Sequence, residues 1–261
     1  MRSIGLAWAH FKIGAMNELQ YRSNFFIQVL QSVVALATGL IVIALVFSHT
    51  ESLEGWSRPE LLAVMGIHIS LGGLIRTWIQ PNMQRILEDV REGNFDYVLA
   101  KPVDAQLMVS IRQVRIWSSV DLVVGGIVLL YALSQLGTSV GVSEALAFAV
   151  VVLAGGTMIY CAYFIVITMS FRVIALEDVM DLFNGVYETG RWPVTIYPTW
   201  LRGIVTFLVP LAFAVTIPAE TLSARQSWGI VGVAVAFCGF LLLVTRWVWI
   251  TNLRKYAGAS A

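Results

Sequence analysis

ALAFAVVVLAGGTMIYCAYFIVITMSF, residues 145–171, runs for 27 positions without a charged side chain. About 20 mostly apolar residues suffice for a helix to cross the apolar core of a bilayer. Backbone polar groups in lipid must be bonded within the segment itself, so such a run predicts a spanning helix. The same pattern recurs on both sides of it. Residues 24–48 and 226–245 carry no charge, residues 61–80 are apolar with Arg76 near their end, and residues 113–134 are interrupted by Asp121. Residues 203–219 are uncharged but contain Pro210 and Pro218. The alternating ten-residue segments of an outer-membrane barrel are missing. The predicted fold is therefore an all-α integral membrane protein with six transmembrane helices.

Composition points the same way. Of 261 residues 58% are hydrophobic and 13% charged, with a mean hydropathy of +0.78. A soluble domain carries about 25% charged residues, so lipid has to cover part of this surface. Once the apolar segments are set aside, no long polar stretch remains for a soluble enzyme, and residues 1–261 read as a single membrane domain. The net charge of +1 gives no support for nucleic acid as a partner. Cys161 and Cys238 lie inside apolar runs and show neither metal-ligand spacing nor a disulfide framework. His10, His49 and His68 are too scattered for a metal site. Residues 1–22 mix polar and apolar side chains, unlike a cleaved leader.

Lysine and arginine set the expected orientation. Arg2, Lys12 and Arg22 precede the first span, and Arg58 alone lies between spans one and two. Arg76, Arg85, Arg91, Lys101, Arg112 and Arg115 cluster around the next connection, and no lysine or arginine separates spans three and four. Arg172, Arg191 and Arg202 follow span four, Arg225 precedes the last span, and Arg246, Arg254 and Lys255 follow it. This alternation places both termini in the cytoplasm and requires an even number of crossings. Residues 172–218 admit two readings with six crossings. In one, residues 172–200 are cytoplasmic and span five is 201–218. In the other, span five is a short helix over 173–190, and residues 192–218 form a re-entrant element containing Pro193, Pro198, Pro210 and Pro218.

Two segments outside the spans are organised. In residues 2–22, Ile4, Trp8, Phe11, Ala15 and Leu19 fall on one helical face, as in an amphipathic helix at the membrane surface. In residues 82–104, Met83, Ile86, Leu87 and Val90 share a face, with Arg85, Glu88, Asp89 and Arg91 elsewhere. Asn82 is the expected start of that helix, and Gly93 its left-handed end. A second short helix is expected around Phe95, Val98 and Leu99, stopped by Pro102.

The stretch REGNFDYVLAKPV, residues 91–103, resembles the cytoplasmic segment of type-two ABC-exporter permeases. Glu18 to Arg22, Arg191-Trp192-Pro193, Ile196 to Arg202, Val209 to Phe213 and Pro218-Ala219-Glu220 resemble the same family in order and spacing, in particular its uncharacterised and daunorubicin-resistance-like branch. The resemblance implies a permease subunit of an ATP-driven exporter in a bacterial inner membrane. A second permease, identical or related, would complete the path, and separate ABC ATPase subunits would carry ATP and magnesium, with no cofactor bound by this chain. It further implies that residues 1–22 are a connecting helix and residues 82–102 a coupling helix. The coupling residues would be Arg85, Glu88, Asp89, Glu92, Gly93, Asp96, Leu99 and Pro102.

An absent motif agrees with that division of labour. A P-loop needs a lysine after a glycine to cradle phosphates, and Lys12, Lys101 and Lys255 each follow another residue. The chain is thus not expected to be an enzyme by itself. His68 and Asp121 are candidate path-lining residues, because a carboxylate inside a membrane is costly and usually has a role. Packing for His68, and an arginine partner near the interface for Asp121, stand as the structural alternatives. Gly125 and Gly126, or Gly155 and Gly156, suit close helix packing. An ion-coupled secondary transporter using Asp121 and the acidic run Glu177, Asp178 and Asp181 is the alternative function.

Overall fold

Deprived of water, an apolar run has only its own backbone to bond to, so each long run closes into a helix. The computed structural model describes residues 16, 22–137, 141–169, 177–223 and 228–254. Within them five helices are long and apolar enough to cross a membrane. Helix α1 is Arg22–Phe47, α2 Arg58–Leu74, α3 Gln80–Arg91, α4 Phe95–Leu99, α5 Ala105–Val109 and α6 Val120–Leu136. Helix α7 is Val142–Met169, α8 Glu177–Glu188, α9 Thr199–Phe207, α10 Ile217–Leu222 and α11 Trp228–Leu253. Among the described residues β-structure is limited to one bridge between Leu53 and Trp56. The protein is an all-α integral membrane protein.

The second span overruns its predicted end. Helix α2 passes through a π-helical turn, Ile75–Ile79, directly into α3, making one rod of 34 residues. At 1.5 Å per residue the rod is about 51 Å long, some 20 Å more than a bilayer core. Asn82 therefore does not start a new helix. Its side-chain amide donates to the Trp78 and Gln113 carbonyls, both at 2.8 Å. Pro81 has no N–H and leaves the Thr77 carbonyl without its helical donor. The Arg115 backbone N–H supplies that bond from the returning chain, at 2.9 Å.

Helices α2 and α6 pack antiparallel through small residues. A Cβ on Gly73 would lie 2.8 Å from the Leu122 amide nitrogen, and one on Gly66 would lie 2.8 Å from that of Leu129 and 2.9 Å from the Gly125 oxygen. Gly66, Ser70 and Gly73 thus form a flat strip on which the α6 backbone rests. Gly66→Leu meets backbone rather than a flexible side chain, so the helices have to part. Such overpacking costs about 1–3 kcal/mol. Thermal unfolding in detergent should show a clearly lowered Tm for Gly66→Leu and none for Gly126→Ala, where an added Cβ meets nothing within 4 Å. Gly155 plays the corresponding part on α7, where a Cβ would lie 2.6 Å from the Phe213 oxygen. Gly156 makes ordinary contacts.

The region after α7 follows an ordered series of contacts. The Tyr163 hydroxyl donates to Asn184 at 3.2 Å, the Tyr187 hydroxyl to the His68 carbonyl at 2.6 Å, and the Trp56 indole N–H to Thr195 at 2.9 Å. Helix α8 and the 3-10 turns Thr189–Arg191 and Val194–Ile196 therefore lead from the Met169 end of α7 to the Trp56 end of the bundle. From there α9 and the helical stretch Ala212–Leu222 form a pair bent by 77°. The backbone of Ala214 meets Gly155, midway along α7. Helix α11 begins at Trp228 and reaches Asp104 through Arg246, 18 residues and about 27 Å further on.

Candidate functional site

The most organised polar structure is the end of the bundle that carries Asp104. Residues 110–115 return from α5 to α6 laced along the α2–α3 rod. The Trp78 indole N–H donates to the Ser110 carbonyl at 2.6 Å, the Gln113 N–H to Asn82 Oδ1 at 2.9 Å, and Arg115 to Gln84 at 2.8 Å. Asp89 is buried, 1% exposed, and its carboxylate is held by Arg85 at 3.0 Å and Arg112 at 2.5 Å. These ties make the rod and the returning chain one stiff body.

Beyond the rod the chain turns back at Gly93, whose φ of 71° is left-handed and suits a residue without a side chain. Glu92 caps α3 by donating its N–H to the Glu88 carbonyl at 2.9 Å. Its carboxylate accepts from Asn94 at 2.8 Å. Helix α4 then lies across the bundle end. Phe95 and Val98 are buried, and the Phe95 ring meets Trp249 of α11 edge-on, with centroids 6.1 Å apart. Trp249 in turn packs on Phe164 of α7, at 5.2 Å. With its inner face so occupied, α4 presents Tyr97 outward, 74% exposed, next to the exposed Glu88, Arg91, Glu92 and Lys101.

A second tie joins this end to α11. Asp104 caps α5 by accepting the Leu107 N–H at 3.0 Å, and it pairs with Arg246 at 2.7 Å. Partial burial pushes the Asp104 carboxyl up, but the hydrogen bonds from Arg246 and Leu107 and the Arg246 charge outweigh it. The group ends below its ordinary value.

Asp121 sits at the start of α6, 3% exposed. It accepts from Gln28 at 3.0 Å, from the Ser32 hydroxyl, and from Arg76 Nε and Nη2 at 3.1 and 2.7 Å. An intramembrane carboxylate is tolerable when paired this completely. The arginine partner anticipated for Asp121 is thus present, and Arg76 is presented by the π-helical turn. His68 stacks on Tyr187 with centroids 4.5 Å apart, while its Nδ1 has no hydrogen-bond partner among the described residues. His68, Arg76, Asp121 and the Glu188–Arg191 pair, 2.5 Å apart, line a cavity of about 80 Å³. Water occupies about 30 Å³ per molecule, so the cavity has room for one or two.

The predicted coupling residues separate into two groups. Glu88, Glu92 and Pro102 are exposed, and Arg85, Gly93, Asp96 and Leu99 are half-buried on the same projection. Asp89 is turned inward between two guanidinium groups, so it anchors the rod instead of facing a partner. Sequence reasoning missed Tyr97, which differs from Phe95 only in lying two positions on, toward the opposite side of a short helix. It also missed Asp104, although an aspartate three residues before the Leu107 amide is a recognisable capping signal. The Phe95–Trp249 contact spans 154 positions and leaves no local trace. The expected connecting helix, 1–22, lies outside the described residues apart from positions 16 and 22, as do the side chains of Glu177 and Asp178 in the acidic run; Asp181 is exposed.

A family model described as ABC-2 family transporter protein matches residues 33–260. No curated protein and no solved structure matches the chain.

Proposed function

Because the chain belongs to the ABC-2 family of transporter proteins, and is thus a multi-pass membrane subunit of an ABC transporter, we propose that it is the permease of an ATP-driven exporter, pushed through α3 and α4. ABC ATPase subunits that bind ATP and magnesium dock on the Asp104 end, which faces the cytoplasm of a bacterial cell with both termini. A second permease, the same chain or a related one of the daunorubicin-resistance-like branch, completes the path. Span five is α8 with its flanking turns, and residues 192–218 dip into the outer leaflet and return. The contact series from Tyr163 to Trp56, and the start of α11 about 27 Å from Asp104, support that reading. Residues 1–22 serve as the connecting helix.

The observation that carries the proposal is the outward ridge of Glu88, Glu92 and Tyr97 on a body whose inner face grips α7 and α11. An exposed tyrosine is a residue type on which docking hot spots are built, and the Phe95–Trp249–Phe164 stack passes its displacement to two spans. The full pairing of Asp121 with Arg76 speaks against the ion-coupled alternative, which needs a carboxylate free to exchange its proton.

The test is co-purification with a co-expressed ABC ATPase, followed by ATP hydrolysis. Tyr97→Ala should weaken retention of the ATPase about tenfold or more, the effect of losing a hot-spot side chain. Gly93→Pro, which cannot adopt a φ of 71°, and Asp96→Lys should leave an inserted protein in which hydrolysis no longer drives transport. Unchanged retention in Tyr97→Ala together with unchanged transport in the other two would refute the proposal.

A further inference from the structure

We propose that a groove between α3, α5, α7 and α11 holds one acyl chain of an amine-bearing, zwitterionic glycerophospholipid, drawn from the leaflet at the Asp104 end. The groove is open along one side, where Leu153 is 71% and Leu242 44% exposed, and has a volume of about 660 Å³, within the range of small-ligand sites. Its depth is apolar, lined by Leu74, Leu153 and Leu242, and its mouth is polar, lined by Asp104, Ser110 and Tyr160. The gradient runs along the membrane normal. Leu153 precedes Tyr160 by seven residues on α7, about 10 Å further along the membrane normal from the Asp104 end, and Leu242 lies one turn before Arg246.

A phospholipid has the same polarity in the same direction. At the mouth the Ser110 and Tyr160 hydroxyls are bonded to each other at 2.7 Å, and the Trp78 indole donates to the Ser110 carbonyl. An aromatic at that depth suits the membrane–water boundary. The charges at the lip are Asp104 and Arg246, with side chains 44% and 47% exposed. Arg246 is placed to meet a lipid phosphate and Asp104 to meet the ammonium beyond it. An acidic lipid would leave Asp104 facing a negative headgroup. The proposal needs the spanning arrangement but no ATPase, so it stands or falls separately from the coupling mechanism.

The full chain is reconstituted in nanodiscs of mixed phosphatidylethanolamine and phosphatidylglycerol. Each lipid in turn carries a photoactivatable acyl chain at equal mole fraction, and labelled peptides are mapped by mass spectrometry. Phosphatidylethanolamine should label the peptides around Leu153 and Leu242 several-fold more than phosphatidylglycerol does. Leu153→Trp, or Thr157→Phe should the first variant fail to fold, should remove that labelling while labelling of α1 persists. Asp104→Asn with Arg246→Gln should abolish the preference between the lipids. Label spread evenly over α1 and the groove, or unaffected by both filling variants, overturns the site. Equal labelling by both lipids in the unmodified chain overturns the headgroup assignment. Cross-linking of Leu153→Cys to a second copy, with no lipid label there, overturns it in favour of a permease interface.

Discussion

Arg76→Met is expected to destabilise the extracted protein by about 3–5 kcal/mol, the loss typical when one partner of a buried ion pair is removed. The Asp121 side chain is 4% exposed and that of Arg76 41%, so the two halves of the pair are not equivalent. Without Arg76, Asp121 keeps only the neutral donors Gln28 and Ser32. Its charge then loses its paired counterion, and what solvates it is the little water that the cavity of about 80 Å³ admits. Without Asp121, Arg76 can still turn toward water. Asp121→Ala should therefore cost less than Arg76→Met, although it deletes the more buried group. Replacing both, as Arg76→Met with Asp121→Leu, should recover much of the loss, because a well-packed apolar pair often matches a buried ion pair. Thermal unfolding of the three variants in one detergent measures this order. If Arg76→Met proved no worse than Asp121→Ala, the carboxylate would have another source of solvation and the pairing would not be what holds α1, α2 and α6 together.

Legibility in the sequence followed the range of the interaction. The long spans were visible because desolvation acts on each residue of a run such as 145–171 independently of its neighbours in space. Gly93 was visible because a left-handed helix end is a local demand. The continuity of α2 with α3 was hidden. Asn82 reads as a fresh helix start, and the bond that carries the helix past Pro81, the Arg115 N–H on the Thr77 carbonyl, comes from 38 positions away. Asp121 was legible as an anomaly but not as an anchor, since its four donor bonds come from α1 and the π-helical turn. Asp89 looked like one more exposed charge until Arg112 was seen to close over it. In each case the part that sequence could not supply was a contact between distant segments that changes what a residue is free to do.

That distinction separates two neighbouring aromatics, and the second large effect expected is at Phe95. Phe95→Ala should abolish coupling between ATP hydrolysis and transport while leaving the ATPase bound. The ring is fully buried, and truncating a buried phenylalanine costs about 3–5 kcal/mol, of which the edge-on contact with Trp249 contributes about 0.5–1.5 kcal/mol. Helix α4 has only 5 residues, too few to hold its own fold without docking. Phe95 and Val98 are its buried residues, so losing the ring should release the helix from α11. Its outward residues, Tyr97 among them, would still be present to meet an ATPase, but their displacement would no longer reach Trp249 or Phe164. Tyr97→Ala should do the opposite, weakening the ATPase contact while the aromatic stack stays packed. Parallel assays of ATPase retention, ATP hydrolysis and transport in Phe95→Ala, Phe95→Leu and Tyr97→Ala separate the two roles, with Phe95→Leu expected to restore part of the coupling. Normal transport by Phe95→Ala would mean that force enters the bundle along the stiff α2–α3 rod alone, and that the α4 contact with the last span is mere packing.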